Sequence, residues 1–328
     1  MLRVSVSPRR GADGTRKEDM SEATRDMDET AIGDFAPFGE FDPARFAGDD
    51  ALSVGVDAGA TLTKLCVRSS DGALAFADWR SSDHDRARAT LAALDPAYLG
   101  ITGCGAEDLL PKLGREATSP IEFTAWARGA DEMLARTGQE RDAPYLLVAV
   151  GTGTSALRVD GDEVERMGGT ALGGGAALGL GHALLGTKTA EELNSLGTRG
   201  DRRSVDLMVG DLFEDPRDVG ALIAASFGKL ARQAEDEAAK APPREDLAAA
   251  ILGIVSDNIG LLANAYARAA GVDRIVYGGS TFRVHPQFAD IARAFSLMSG
   301  MEAIVLSRGG HAGCLGAMKI ARAEAGLD

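Results

Sequence analysis

Three glycine-rich turns, each directly after a predicted strand, carry the first chemistry in this sequence: DAGAT (57–61), GTGT (151–154) and GGS (278–280). Such turns let backbone N–H groups and small hydroxyls approach phosphate oxygens where a Cβ would stand in the way. One turn alone is weak evidence, because glycine is common where a strand ends. Three in this order, with Asp57 closing the first strand, point to a nucleotide. A carboxylate at Asp57 has the chemistry to hold Mg²⁺ against terminal phosphates. The bland alternative is a turn cap, which the run of small residues behind it disfavours. Lys64 is either a point charge for a phosphate or an exposed-edge lysine. Glu122, in PIEF (120–123), is either a general base or an acid at a helix N-terminus.

These residues need elements to hold them. LSVGVDAG (52–59), LTKLCVRSS (62–70) and ALAFADWR (73–80) read as strands, the last two joined at Asp71-Gly72. A helix over 85–94 and a strand over 97–103 follow. PIEF reads as a strand end, with Glu122 at the mouth of a cleft, leading into a helix over 124–136. The pattern then restarts. Residues 144–154 form a buried strand, and 155–161 and 162–169 a hairpin around Asp160-Gly161, with Arg166 ending its second strand. Gly173, Gly174 and Gly175 open an apolar helix to 186, either as an anion seat or for close packing. Helices are expected through much of 187–241 and over 247–270, stopped by Gly271. A strand (274–280), a helix (288–298), a strand (302–307) and a helix (313–326) complete the chain. This order implies an α/β protein of two similar lobes, with ligands at the carboxyl ends of the strands. The expected division is a first lobe over 51–140 and a second over 141–328.

Residues 1–50 differ from the rest, with seven basic and twelve acidic residues and few apolar ones before Phe35, Phe38, Phe41 and Phe46. They read as a disordered or loosely docked acidic tail whose removal leaves fold and catalysis nearly intact. No signal-peptide apolar region is visible, and the early acids argue against a transit peptide. The net charge of −14 excludes broad binding to nucleic acid or anionic membranes. No run of about 18 apolar residues is present, which excludes a membrane span. Cys66, Cys104 and Cys314 are too far apart for a disulfide framework or zinc site and read as buried, reduced thiols in a cytoplasmic protein. The four histidines share no metal spacing and read as structural or surface residues.

VGVDAGATLTK (54–64) resembles the first phosphate loop of the sugar kinase/hsp70/actin superfamily, GTGTS (151–155) its second, and VYGGS (276–280) its adenosine loop. More narrowly, residues 150–186 are similar to the signature of type II pantothenate kinases, as are SFGK (226–229), SDNIG (256–260) and GCLGAM (313–318). The resemblance spans about 52–320. It implies two lobes of the actin-like ATPase (ribonuclease H-like) type with an interlobe cleft. It implies ATP- and Mg²⁺-dependent phosphorylation of the primary hydroxyl of pantothenate, the first step toward coenzyme A. ATP would lie on Asp57, Gly59, Thr61 and Lys64, on Gly151, Thr152, Gly153 and Thr154, on Gly173, Gly174 and Gly175, and on Gly278, Gly279 and Ser280. Asp57 would hold the metal. The catalytic acid of the family falls on Glu122, and the residues that hold pantothenate fall on Arg166, Thr152 and Ser155. Without the resemblance, Arg166 would read as a surface ion pair with Glu163 or Glu165. A homodimer built by helices of the second lobe and regulation by acyl-CoA are further implications. Two positions depart from the family pattern: Ala60, where a second glycine is more usual, and Arg308, where relatives often carry an acidic or amide residue.

The rivals are a sugar or amino-sugar kinase of the same superfamily, an ATPase activator of a radical dehydratase, and a non-catalytic ATP or acyl-CoA sensor. The match over 150–186 argues against the first. The lack of a suitable cysteine pair for a shared iron–sulfur cluster argues against the second. Retention of Asp57, Glu122 and Arg166 argues against the third.

Overall fold

The computed structural model describes residues 34–36, 41–139, 143–214, 220–234 and 240–327. The chain opens with a short strand β1 (Asp34–Ala36), then β2 (Ser53–Ala58), β3 (Leu62–Arg68) and β4 (Leu74–Arg80). Helix α1 (His84–Leu94), strand β5 (Tyr98–Thr102), the single turn α2 (Ala106–Leu109) and helix α3 (Glu122–Arg136) complete this part. The same order begins again with β6 (Tyr145–Val150), β7 (Thr154–Asp160) and β8 (Glu163–Thr170). Next come α4 (Gly174–Leu185), α5 (Ala190–Gly197), β9 (Leu207–Met208), β10 (Ile223–Ala225), α6 (Gly228–Gln233) and α7 (Arg244–Ala270). The chain ends with β11 (Arg274–Gly278), α8 (Thr281–Val284), α9 (Gln287–Met298), β12 (Glu302–Val305) and α10 (Ala312–Glu324).

Two five-stranded mixed sheets result, ordered β1-β4-β3-β2-β5 and β12-β11-β6-β7-β8. In each, three strands form an antiparallel meander and a later strand adds parallel to the first of them, β5 on β2 and β11 on β6. The expected duplicated strand order is therefore present, and the glycine turns sit at the carboxyl ends of β2, β6 and β11. Gly72 and Gly161 both have positive φ in the two hairpin turns, as the Asp-Gly pairs require.

Helix α10 joins the two sheets. By chain order it belongs to the second lobe, yet it packs on α3 and on β2 and β5 of the first sheet. A Cβ on Gly55 or Gly100 would overlap the helix backbone at Cys314 and Ala317, so these strand glycines are what let α10 lie so close.

Helix α7 is long and apolar enough by length and composition to cross a membrane. Its Ile251, Val255, Ile259 and Ala263 instead fill the core under the second sheet, and Gly271 caps it in the left-handed conformation. The expected helices of 187–241 are fewer than anticipated. Asp206 accepts from Arg202 Nε at 2.5 Å and from the Phe227 amide at 2.7 Å, holding this stretch as turns with the short β9–β10 pair. Short polar side chains that bond backbone groups in this way compete with helix formation.

Part of the tail is docked, which is the second alternative of the sequence-based expectation. β1 pairs parallel to β4, extending the first sheet at its edge. Phe41 and Phe46 stack at 6.0 Å and pack against the first lobe's core, while Asp49 accepts from the Ser70 amide at 2.8 Å. Phe38 lies outside the described residues. Deleting residues 1–50 should therefore lower the thermal midpoint by on the order of 5 °C, from about 2 kcal/mol of lost aromatic burial. Deleting only 1–33 spares these contacts. Melting curves of the two truncations check this, and equal midpoints would show that the phenylalanines contribute nothing.

Candidate active site

One cavity of about 720 Å³ lies between the two sheets, and every sequence-predicted site residue lines it except Gly173. Gly173 stands directly behind: a Cβ there would press on the Gly151 and Thr152 carbonyls at 2.8 and 2.7 Å. The amides of Gly174 and Gly175 donate to the same two carbonyls, at 2.8 and 3.0 Å. The three glycines thus brace the second turn from below, which is the close-packing reading of this motif. Thr281, at the start of α8, also donates to the Gly151 carbonyl at 3.0 Å.

The first and second turns meet across the cleft, where the Thr61 and Thr152 hydroxyls lie 2.9 Å apart. Ser81 holds the first turn by donating to the Gly59 carbonyl at 2.6 Å. Ala60 is accommodated, since Asp95 and Phe227 alone among described non-glycine residues have positive φ. Thr154 donates to the Leu172 carbonyl at 2.7 Å, so its hydroxyl already has a partner in the wall. Gly279 has φ +112, and a Cβ there would overlap the Val150 carbonyl, which makes glycine obligatory at the third turn.

Asp57 is 2% exposed, and its two carboxylate oxygens differ. Oδ2 accepts from Lys64 Nζ at 2.9 Å, while Oδ1 is buried without a hydrogen-bond partner. Burial works to lower the Lys64 pKa, but the Asp57 charge prevails and holds it raised, so the lysine stays charged. It is a buried partner of Asp57 rather than an exposed-edge lysine. The glycine at the start of α10, Gly313, leaves Asp57 its space, since a Cβ there would come within 2.8 Å of Oδ2. The unpartnered Oδ1 is what a cation can use. No cluster of three metal-ligating side chains exists among the described residues. That donor set suits Mg²⁺, which takes one or two carboxylates and fills its other positions with water and phosphate.

Glu122 is the first residue of α3 rather than the end of a strand. The extended chain before it is held to the first sheet by a bridge from Thr118 to Gly100 and by the Thr102 hydroxyl on the Pro120 carbonyl at 2.9 Å. A helix N-terminus acts to lower a carboxylate pKa. Here the Glu122 pKa is instead raised, first by burial and then by the nearby Asp57 charge, with Lys64 pulling the other way. The helix-start reading of Glu122 is therefore met, and its raised pKa is compatible with the proton-accepting one.

Arg166 lies within β8 rather than at its end, opposite Leu157 at a bulge. It makes no ion pair with Glu163 or Glu165 among the described residues. Its guanidinium instead sits 5.7 Å over the Phe123 ring, beside Glu122. It is exposed and is the one arginine lining the cavity among the described residues.

Sequence reasoning missed Trp126, Thr281 and Gly313 at this site. It also read Cys104 as buried, whereas Cys104 is exposed and lines the cavity; Cys66 and Cys314 are buried as expected. The cause is Gly103, whose φ of +93 turns the chain outward at the end of β5. Two histidines are buried and held neutral: burial takes His285 down to about 4 and His311 down to about 3. On the far side of Gly279 and Ser280 lies a second cavity of about 540 Å³, lined by Arg308. There Arg283 of α8 pairs with buried Asp78 of β4 at 2.8 Å, joining the lobes.

A family model described as Fumble matches residues 117–319. The type II pantothenate kinase of Staphylococcus haemolyticus (strain JCSC1435) is 30% identical over 269 residues, covering 81% of this chain and 99% of that protein. Among solved structures, the activator of the 2-hydroxyisocaproyl-CoA dehydratase from Clostridium difficile with bound ADPNP aligns with a TM-score of 0.58 and 14% identity, covering 84% of this chain and 96% of that one. The ROK family glucokinase from Streptomyces griseus aligns with a TM-score of 0.52 and 15% identity, covering 83% and 100%. At such identity these two show the fold alone, the two-lobed fold of the actin-like ATPases and sugar kinases. The family model spans more than half of the chain and the staphylococcal kinase aligns over nearly its whole length, so the chain belongs to the Fumble family of type II pantothenate kinases.

Proposed function

We propose that this protein transfers the γ-phosphoryl group of ATP to the primary hydroxyl of pantothenate, the first step of coenzyme A biosynthesis. The observation that carries this reading is a single cavity holding a raised-pKa carboxylate, a lysine-paired aspartate and one arginine. In the mechanism, the three glycine turns receive the ATP, and Lys64 supplies positive charge beside the phosphates. Asp57, through Oδ1, would hold Mg²⁺, which when bound neutralises developing charge on the phosphates. Glu122 accepts the hydroxyl proton as the oxygen attacks phosphorus. Arg166 holds the carboxylate at the remote end of the substrate, and Thr152 and Ser155 orient its middle. The Phe123 ring under Arg166 holds the guanidinium against the turn of α3 that carries Glu122.

The finer expectations belong to the same proposal: cytoplasmic location, a homodimer, acyl-CoA regulation, and no role for nucleic acid or membrane. Exposed Leu184 of α4 and Leu261 of α7 support a dimer face on the second lobe.

The test is ADP release with pantothenate, pantetheine, glucose and N-acetylglucosamine, for wild type and Arg166→Ala. Pantothenate should be turned over and the sugars should be inert. Because Arg166 is exposed, its loss should lower kcat/KM for pantothenate by about 10–100-fold, the range for a charged hydrogen bond. Pantetheine, which lacks the carboxylate, should lose less if it is turned over. Robust sugar phosphorylation, or equal losses for both pantoyl compounds, would overturn the substrate assignment.

A further inference from the structure

The acceptor proposed above has a distinctive shape at its reacting end. Its hydroxymethyl group sits on a quaternary carbon that carries two methyl groups. Whatever lies between the base and the phosphoryl-transfer centre must touch that carbon, because it is two bonds from the attacking oxygen. Among the large apolar side chains that line the cavity, Trp126 is the one on the helix that carries Glu122. Trp126 follows Glu122 by one helical turn on α3, so both face the same side of the helix. It is half-buried and lines the cavity. Its indole sits against Gly313, where a Cβ would come within 2.8 Å of both the ring and Asp57 Oδ2. It also packs against the core under α3 and α10, and lies edge-on at 5.8 Å to Phe123, the ring that carries Arg166.

We propose that Trp126 is a specificity-determining residue, an apolar wall that packs on the dimethyl-substituted carbon of the acceptor and selects it over unbranched analogues. The inference rests on the pantothenate reading. Glu122 and Asp57 handle the proton and the phosphoryl group, and neither distinguishes a branched carbon from a plain one. Arg166 fixes only the far end. An indole face beside the quaternary carbon gains from two methyl groups and gains nothing from their absence.

The experiment compares wild type, Trp126→Ala and Trp126→Phe with pantothenate and with its analogue lacking the two methyl groups. Wild type should prefer pantothenate by about tenfold in kcat/KM, near the lower end of what hydrophobic pockets achieve per methylene. Trp126→Ala should lose most of that preference, through a larger rise in KM for pantothenate than for the analogue, with KM for ATP little changed. Trp126→Phe should keep most of the preference. A wild-type preference that survives in Trp126→Ala overturns the proposal. So does a variant equally poor with both acceptors and with ATP, because that marks a structural role. A second readout is independent of turnover. The chain has two tryptophans, Trp79 and Trp126. In Trp79→Phe, pantothenate should shift the remaining indole emission more than the unbranched analogue does; no shift at saturation overturns the wall. A wild type that releases no ADP with either acceptor removes the function reading and this inference together. ADP release without methyl discrimination removes only the role of Trp126.

Discussion

Glu122→Gln should lower kcat by about 10²–10⁴-fold, the usual range for loss of a general base, while KM for ATP stays nearly unchanged. The amide keeps the size and hydrogen-bonding reach of the side chain but cannot take the hydroxyl proton. Helix α3 should form as before, because the lost contribution to its first turn is only about 0.3–1 kcal/mol. The raised Glu122 pKa adds a second expectation. The base works in its ionised form, so activity falls as pH drops through its pKa. Burial and the Asp57 charge move that acid limb above the usual glutamate position. The pH profile of kcat/KM for wild type should show this limb, and the residual activity of Glu122→Gln should lack it. A variant keeping more than about a tenth of wild-type kcat would show that another group takes the proton.

The position of Glu122 also marks how far sequence reasoning reaches here. The strands were legible because apolar runs end in glycine turns, and the turns were legible because only glycine permits such close approach. The cavity they form follows from the duplicated strand order. The local conformation at 120–123 was not legible. Pro120 and Ile121 keep the chain extended up to the helix, with Ile121 at φ −57 and ψ 133, so an apolar extended segment resembled a strand end. Trp126 and Gly313 escaped because their roles depend on α10 crossing back to the first sheet, a long-range association with no local period. A signal for it existed: Gly55 and Gly100 sit inside strands, where glycine often marks the close approach of another backbone. Arg166 needed tertiary context too. Its strand neighbours Glu163 and Glu165 suggested ion pairs, whereas the ring that holds it comes from α3.

Asp57→Asn should lower kcat on the order of 10²–10³-fold, comparable to removing one preorganised electrostatic group from a transition state. It should also make the protein less stable, and the two effects can be separated. Asparagine leaves Lys64, 14% exposed, without its counter-ion. Removing one member of a buried pair costs about 3–5 kcal/mol, mostly the penalty of the charge left behind. In wild type the Lys64 pKa is raised by Asp57 against the opposing effect of burial. With that charge gone, burial prevails and the folded-state pKa falls below the unfolded one. A group of that kind binds fewer protons folded than unfolded, so Asp57→Asn should gain stability as pH rises toward the unfolded lysine value. Wild type should show no such gain, since its Lys64 contribution is fully present below that pH. The double variant Asp57→Asn/Lys64→Met removes the stranded charge and should recover most of the lost melting temperature. It should remain inactive if the proposed roles hold, because the carboxylate charge proposed for the cation and the lysine charge proposed for the phosphates are both gone. Recovery of stability together with activity would reduce Asp57 to a structural partner of Lys64. Persistent inactivity in a stable double variant, with a raised Mg²⁺ requirement in Asp57→Asn alone, is the outcome expected of a residue that serves the phosphoryl transfer itself.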